Sequence, residues 1–578
     1  MNHQSSYMNQ PWIKQYPDGI GQHIDYQQIT IFEFLKNNAK NYPDKIALIF
    51  EGYEINFATL KQMTDQFSDC LRKFNVKKGN CIGVILPNII PAVVSYLGIL
   101  QLGAVVVFIN PAASDRDIEH QINDSEASII ITLDLICNRI IELRPRLVNV
   151  KQIIYTTLGD YLPFSKRIPF SLLGKRRKVA VSVKKAPGVY RWKSLLKNLE
   201  NISFPSVADF KDIAIYQYTS GTTGASKGVV LTHENLSKQV QQLKSWFQSL
   251  KTGEECIIGA LPFFHIFGLS AVLNYAISNA WTIILMPKPH PHLIYDAINR
   301  YQVSIVPLVP AMYQALLDCY MLDLSKMDSV KVYISGSEAL HVETLKAFVK
   351  QTGHTIVEGY GLTEASPVTH IMPPNYKKRK LGSIGIPLPD TQCRIVDLET
   401  GESDVPIGEP GEMIIKGPQI MAGYLNRPLE SSCTIKDGWI YTQDIATMDQ
   451  DGFFYIIDRK NDMIISRGYY IYPREVEELL LEHPKVKETC VVNYPSPKQG
   501  EVAIAFIVTV DNEPIQSKEL IDCCEGKIPE YKIPCQFLFL ERLPKNSVGK
   551  ILRRVLRSKK YLGNLDTKLE QPPSKPPC

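Results

Sequence analysis

The 578-residue chain has little that points to metal, disulfide or nucleic-acid chemistry. Its 12 cysteines are scattered; only Cys523 and Cys524 are neighbours, and no Cys-x-x-Cys pair occurs. A zinc site of that kind is therefore excluded, and free thiols suit a reducing compartment. The opening residues, MNHQSSYMNQPWIKQYPDGIG, lack the apolar run of a signal peptide, so a cytoplasmic location is expected. With 64 Lys and Arg against 59 Asp and Glu, the formal charge is only +5, and no basic domain stands out. Nucleic acid is not expected as a partner. No internal repeat is visible, and the Gly-x-x-x-x-Gly-Lys-[Ser/Thr] spacing is missing, which removes a P-loop NTPase.

Charge is also missing from Gly79 to Ser114, and 82-IGVILPNIIPAVVSYLGILQLGAVVVFIN-110 has the length of a membrane span. Breaks at Leu86-Pro87-Asn88, Pro91 and Gly103 argue against one. The pieces predict strand (82–86), helix (about 89–101) and strand (104–109), an apolar unit buried on both sides.

What is present is a globular composition, 45% hydrophobic and 21% charged, at a length that asks for two or more domains. Residues 1–30 are polar and read as an extended N-terminal arm. Helix signals then alternate with short β-branched runs, such as 128-SIIITL-133, 152-QIIYT-156 and 303-VSIVPLV-309. That alternation predicts an α/β fold whose large N-terminal domain, residues 31–457, holds parallel-rich sheets with helices. Composition shifts near 446–470. Residues 458–560 then read as a small α+β domain, with strands at 489–494 and 502–510 and a helix at about 517–526. The Pro-rich end, 561–578, is expected to be disordered.

The densest motif is 218-YTSGTTGASKG-228, which follows the strand-like 213-IAIYQ-217. Its glycines let the backbone approach an anion, while Thr219, Ser220, Thr222 and Thr223 offer hydroxyls and Lys227 a charge. A solvated surface turn is the bland alternative, and it leaves this concentration of phosphate-binding chemistry unexplained.

The loop resembles the signature of the adenylate-forming superfamily, which includes acyl-CoA synthetases, luciferases and peptide-synthetase adenylation domains. The resemblance continues through 229-VVLTHEN-235, 261-LPFFHIFGL-269, 333-YISGSEAL-340, 358-EGYGLTEAS-366, 408-GEPGE-412, 416-KGPQIMAGY-424, 437-DGWIYTQDIA-446, 457-IDRKNDMIISRGYYIYPREVE-477 and 543-LPKNSVGKILRR-554. Order and spacing match from about residue 30 to 557. It implies an enzyme that spends ATP to make an acyl-adenylate, releases pyrophosphate and passes the acyl group to coenzyme A.

Such chemistry brings a carboxylate against a triphosphate, so charge neutralisation and positioning must do most of the catalysis. The resemblance assigns the phosphate loop (Thr219, Ser220, Gly221, Thr222, Thr223, Gly224, Lys227) and the segments carrying Gly336, Ser337, Glu338 and Glu358, Gly359, Tyr360, Gly361 to the nucleotide. Tyr360 offers a flat face for adenine, Thr363 a hydroxyl for the α-phosphate, and Glu364, paired with Thr219, an oxygen ligand for Mg2+. Asp444 suits a ribose, with Arg459 beside it. The family usually has Gly before this aspartate, where Gln443 stands here. Lys550 is implied as the lysine bridging carboxylate and α-phosphate. Asn461 matches a hinge about which the small domain turns between half-reactions, and Gly468 a glycine lining the pantetheine tunnel. Arg467 replaces a commonly small residue next to it.

His265, in 261-LPFFHIFGL-269, is as a lone histidine more often structural; the resemblance puts it at the border of the acyl pocket, where the surrounding aromatics suit a hydrophobic acid. The segment 161-YLPFSKRIPFSLLGKRRKVAVSVKKAPGVYRWKSLLK-197 holds eleven Lys and Arg, no Asp or Glu, and interleaved apolar residues. It resembles an insertion of bacterial long-chain fatty acid–CoA ligases and suits peripheral contact with an anionic membrane, a solvated basic loop being the alternative. A long-chain fatty acid is the expected substrate. An aryl or medium-chain acid, a carrier-protein thiol as acceptor, and a non-catalytic acyl-binding protein are the rivals. Oligomeric state is left open, a homodimer included.

Overall fold

The computed structural model describes residue 7 and residues 9–167, 180–196, 205–219, 226–374, 380–466, 469–496, 500–545 and 549–562. Among these, four sheets organise the chain. The first runs in the order Gly423–Tyr424, Lys227–Thr232, Ile213–Thr219, Val105–Phe108, Cys81–Ile85, Ile129–Leu133, Gln152–Thr156, Val189–Arg191. It is parallel from Ile213–Thr219 onward. The second, also parallel at its centre, passes from Ile356–Gly361 through Val332–Ser335, Ile305–Leu308, Cys256–Gly259 and Thr282–Leu285 to Ile46–Phe50. Its two edges are antiparallel additions.

The uncharged stretch is the buried strand–helix–strand unit its breaks predicted: Cys81–Ile85, Ile90–Gln101 and Val105–Phe108, with every residue of the helix buried. Parallel strands covered on both faces carry no polar alternation, which is why this segment imitates a membrane span. No helix among the described residues is long and apolar enough to cross a membrane.

A third, antiparallel sheet joins Gln392–Val396, Gly411–Lys416, Trp439–Met448 and Phe454–Arg459. The fourth begins at Ile464–Ser466 and is built on the long hairpin Val486–Ser496 and Gly500–Thr509. With helices Pro473–Leu481 and Ser517–Cys524 it keeps its own apolar cluster, from Ile464 and Val476 to Leu520 and Phe537. The chain is thus mixed α/β, a large parallel-rich part followed by a smaller C-terminal domain.

Two segments are more built than their composition suggests. The polar N-terminal arm carries Trp12 on a short turn, Pro11–Gln15, and that ring is 1% exposed. A Cβ at Gly452 would come within 2.5 Å of the Trp12 nitrogen, so the third sheet receives the arm only because it has glycine there. In the basic segment, Val189–Arg191 pairs with Gln152–Thr156, and Trp192 stacks on Phe67 at 4.6 Å. Large aromatic surface outweighs the local polarity in both cases. Residues 168–179, the centre of the basic run, lie outside the described residues, as does 563–578.

Candidate active site

The hairpin of Ile213–Thr219 and Lys227–Thr232 carries the hydroxyl-rich loop at its tip, with Thr219 opposite Lys227 in register. Ser220, Gly221, Thr222, Thr223 and Gly224 lie outside the described residues, as does Gly468. Lys227 stands over the Tyr424 ring at 5.1 Å and pairs with Glu430. The Tyr424 hydroxyl donates to Glu364 Oε1 at 2.8 Å. Lys227 and Glu364 therefore flank one tyrosine, and the Met421 amide holds the Glu364 carbonyl at 2.8 Å.

Glu358, Gly359, Tyr360 and Gly361 end the strand Ile356–Gly361, and Thr363 starts the short turn Thr363–Ala365. Gly361 is obligatory: a Cβ there would lie 1.9 Å from the Pro367 carbonyl oxygen. The Tyr360 hydroxyl donates to Asp444 Oδ2, and Arg459 Nε reaches Asp444 Oδ1 at 3.4 Å. Asp444 and Arg459 face each other on paired strands. The carboxylate has lone pairs to spare for further donors.

Gly336 is packed between the Phe267 ring and the Gly359 carbonyl, a Cβ meeting them at 3.2 and 3.3 Å. Ser337 adopts φ +72°, which turns the chain toward Glu338. Burial raises the Glu338 carboxyl, and Lys550 opposes that shift. Burial pushes Glu358 up to about 7 against the field of Arg474.

His265 opens the helical run ahead of the π-helix Phe267–Asn274. Its segment is stapled by Asn88, which donates to the Gly259 and Leu261 carbonyls at 2.8 and 2.7 Å and accepts the Phe263 amide at 2.9 Å. Burial, then Lys550, lowers His265 to about 4, so its ring is neutral at pH 7.

Lys550 is brought here from the C-terminal domain. Burial and then Arg459 bring it down to about 8, against Asp444, Glu338 and Asp462, which hold it up. Gly549 faces the Ala311 Cβ across the large domain's surface, at 3.7 Å from its own Cβ position. One lysine thus shares a field with His265, Glu338, Asp444 and Arg459, residues separated by up to several hundred positions in the chain.

Asn461 follows directly on Lys460, whose amide donates to the Gln443 carbonyl at 2.8 Å. Gln443 itself sits at φ +62°. The left-handed conformation expected of glycine is therefore kept by a residue with a side chain. Sequence reasoning gave no role to Tyr424, Glu430, Arg474 or Glu412. Tyr424, Glu412 and Arg474 each lie in one of the family-like motifs, 416-KGPQIMAGY-424, 408-GEPGE-412 and 457-IDRKNDMIISRGYYIYPREVE-477, so a signal was there; Glu430 lies outside them and meets Lys227 only in the folded chain.

A model of the AMP-binding enzyme family matches residues 35–425, and one of the AMP-binding enzyme C-terminal domain matches residues 475–550. A long-chain-fatty-acid–CoA ligase of Bacillus subtilis (strain 168) is 40% identical over 550 residues, covering 94% of this chain and 97% of that protein. One from Salmonella typhimurium is 34% identical, covering 97% and 100%. Among solved structures, ATP-bound MatB from Rhodopseudomonas palustris superposes with TM-score 0.81 at 25% identity, over 92% of this chain and 99% of that one. O-succinylbenzoate coenzyme A synthetase (MenE) from Bacillus subtilis, in complex with ATP and magnesium ion, gives 0.75 at 27% identity, over 91% and 99%.

Proposed function

The chain belongs to the AMP-binding enzyme family, and on that premise we propose that it activates a long-chain fatty acid with ATP and transfers the acyl group to coenzyme A. The observation that carries the reading is that Lys550, from the C-terminal domain, shares one buried field with His265, Glu338, Asp444 and Arg459. The near-full-length likeness to long-chain ligases and the aromatic wall around His265 support the choice of acid.

In the first half-reaction a carboxylate oxygen attacks the α-phosphorus of ATP, and pyrophosphate leaves. Asp444 and Tyr360 would orient the nucleoside, with Arg459 beside the ribose. Thr219 to Gly224 and Lys227 would hold the phosphates, and Thr363 the α-phosphate. Lys550, charged at pH 7 despite burial, would lie between the two anions where repulsion is greatest. Neutral His265 leaves the acid's carboxylate as the nucleophile without a competing cation at the pocket mouth.

Glu364, fixed by Tyr424, together with Thr219 fits a magnesium ion, since that cation takes one or two carboxylates plus substrate phosphates. The ion would supply charge neutralisation at the triphosphate. In the second half-reaction coenzyme A sulfur attacks the acyl carbon and AMP departs. A turn of residues 458–560 against 31–457 about Asn461 would withdraw Lys550 and bring Gly468 to the pantetheine. The basic run within 161–197 would meet an anionic membrane from which the acid is drawn.

The test is pyrophosphate release across a panel of acids, with and without coenzyme A. Palmitate or oleate should give AMP and pyrophosphate, with thioester only when coenzyme A is present. ADP and phosphate as products, or turnover confined to aryl acids, would overturn the reading; acyl transfer only to a carrier protein would move the acceptor.

A further inference from the structure

Beyond His265, the interior holds polar groups that an unbranched hydrocarbon chain does not need. The π-helix Phe267–Asn274 is buried throughout, and it places Ser270 and Asn274 four residues apart, on one face. Neither the Ser270 hydroxyl nor either polar atom of the Asn274 amide has a hydrogen-bond partner. From the helix Ile90–Gln101, the Tyr96 hydroxyl comes up against the Asn274 side chain. The two face each other closely enough to interact, yet neither completes a hydrogen bond.

The sheet below adds a fourth group. Gln217 donates from Nε2 to the Phe264 carbonyl at 2.6 Å, next to His265, while its Oε1 is buried without a partner. Gln217 and Phe108 are register partners on parallel strands, so they share a sheet face. The Phe108 ring in turn meets the Tyr96 ring at 5.8 Å. Gln217, Phe108, Tyr96 and Asn274 are thus linked contact by contact into a seam alongside the run from His265 to Asn274, nine residues further on, with Ser270 one turn before Asn274. At helical rise that is on the order of 10–13 Å.

Interiors satisfy their donors and acceptors, and a cluster of groups left unmet at one place asks for an occupant that carries its own oxygen. We propose that this seam is a polar acyl subsite, taking a fatty acid whose chain bears a hydroxyl or keto oxygen near its middle. The Asn274 amide can donate to and accept from such a group, and the Tyr96 hydroxyl supplies a second contact. Phe108, Phe267 and Leu269, buried in the same apolar cluster, would pack against the methylenes of such a chain. The inference rests on the long-chain reading above and on His265 marking the mouth of the acyl pocket.

The experiment compares kcat/KM for 10-hydroxystearate, 12-hydroxystearate and stearate by pyrophosphate release, in the parent and in Asn274→Leu and Tyr96→Phe. The parent is expected to favour one hydroxy acid over stearate by about tenfold or more, as a site built around hydrogen bonds discriminates against the analogue lacking them. Asn274→Leu should reverse that order, and Tyr96→Phe should reduce it. Melting temperature, read on the same samples, identifies a variant that fails to fold; Tyr96→Phe, which removes one buried oxygen, keeps the comparison open in that case. Equal kcat/KM for the three acids in the parent, or a ratio unmoved by either folded variant, would overturn the subsite while leaving long-chain activation intact. Absence of turnover with all three would instead strike the long-chain reading itself.

Discussion

Gln443 and Glu412 are joined side chain to side chain, the Gln443 amide donating to Glu412 Oε1 at 3.1 Å while its backbone N–H reaches the same oxygen at 3.2 Å. Glu412 is 1% exposed, and Lys460 holds its other oxygen at 2.8 Å. A left-handed backbone at a residue with a Cβ costs roughly 1–2 kcal/mol, and this network offsets it. Gln443→Gly should relieve the strain while losing the amide contact, leaving stability within about 1 kcal/mol of the parent. Gln443→Ala keeps the strain and loses the contact, so it should be the less stable of the two by about 1 kcal/mol. Melting temperatures of the pair and the parent check this: Ala matching Gly would show that the left-handed backbone costs nothing here, and Ala matching the parent would show that the Glu412 contact is idle.

Lys550 should divide the two half-reactions. Lys550→Ala is expected to lose adenylation by roughly a hundredfold to a thousandfold, the scale of one preorganised charge. Given synthetic acyl-AMP and coenzyme A, the same variant should form thioester near the parent rate. Asn461→Pro, stiffening the proposed hinge, should show the reverse pattern. Stopped-flow assays of each step decide, and equal losses in both steps of Lys550→Ala would make the lysine structural.

The pH profile follows from the same residue. Burial has brought Lys550 down to about 8, so its charge is present below that pH and is lost as pH rises through it. Adenylation kcat/KM, which reports the free enzyme, should fall above about pH 8. Lys550→Arg should remove that limb, because guanidinium does not titrate there. A parent profile flat to pH 9.5 would contradict it.

Glu364→Gln keeps size and hydrogen-bonding shape but removes the charge proposed to hold magnesium. Turnover should fall by about a hundredfold or more at limiting magnesium, with a higher magnesium requirement and the melting temperature near the parent's. Normal turnover at limiting magnesium would remove Glu364 from the metal site.

Trp12 is linked to the proposed adenine face through rings. It meets Phe454 at 5.7 Å, Phe454 meets His370 at 4.8 Å, and His370 meets Tyr360 at 5.8 Å. Trp12→Ala should cost about 3–5 kcal/mol of stability and raise KM for ATP more than KM for the acid. Trp12→Phe should restore the KM for ATP. Parallel changes in both KM values would confine Trp12 to stability.

Membrane contact is tested by charge and not by deletion, because removing residues 189–193 would take away a sheet strand and buried Trp192. Replacing Lys175, Arg176, Arg177 and Lys178 with Gln should weaken binding to vesicles rich in anionic lipid. Added salt should weaken parent binding in the same assay. Vesicle binding unchanged by the four substitutions would assign the run to solvent.

Local chemistry was legible without coordinates wherever it depends on neighbours along the chain. The hydroxyl-glycine loop, the uncharged strand–helix–strand unit, and the alternation that gives an α/β fold all rest on residue type at short spacing. Residues such as Tyr360, Glu364, Asp444, Arg459 and Lys550 could be named because each sits in a motif of fixed order. What only the tertiary structure decided depends on burial and long-range approach. Lys550 acquires its lowered proton affinity from the low-dielectric contact of two domains, and nothing in GKIL encodes that. Trp12 belongs to a polar stretch, and only the glycine at 452 makes room for it. Gln443 departs from the expected glycine and is retained because a carboxylate 31 positions earlier, on the paired strand Gly411–Lys416, supplies the missing stabilisation. Pairings of that kind are set by packing in three dimensions, where sequence distance carries no energy.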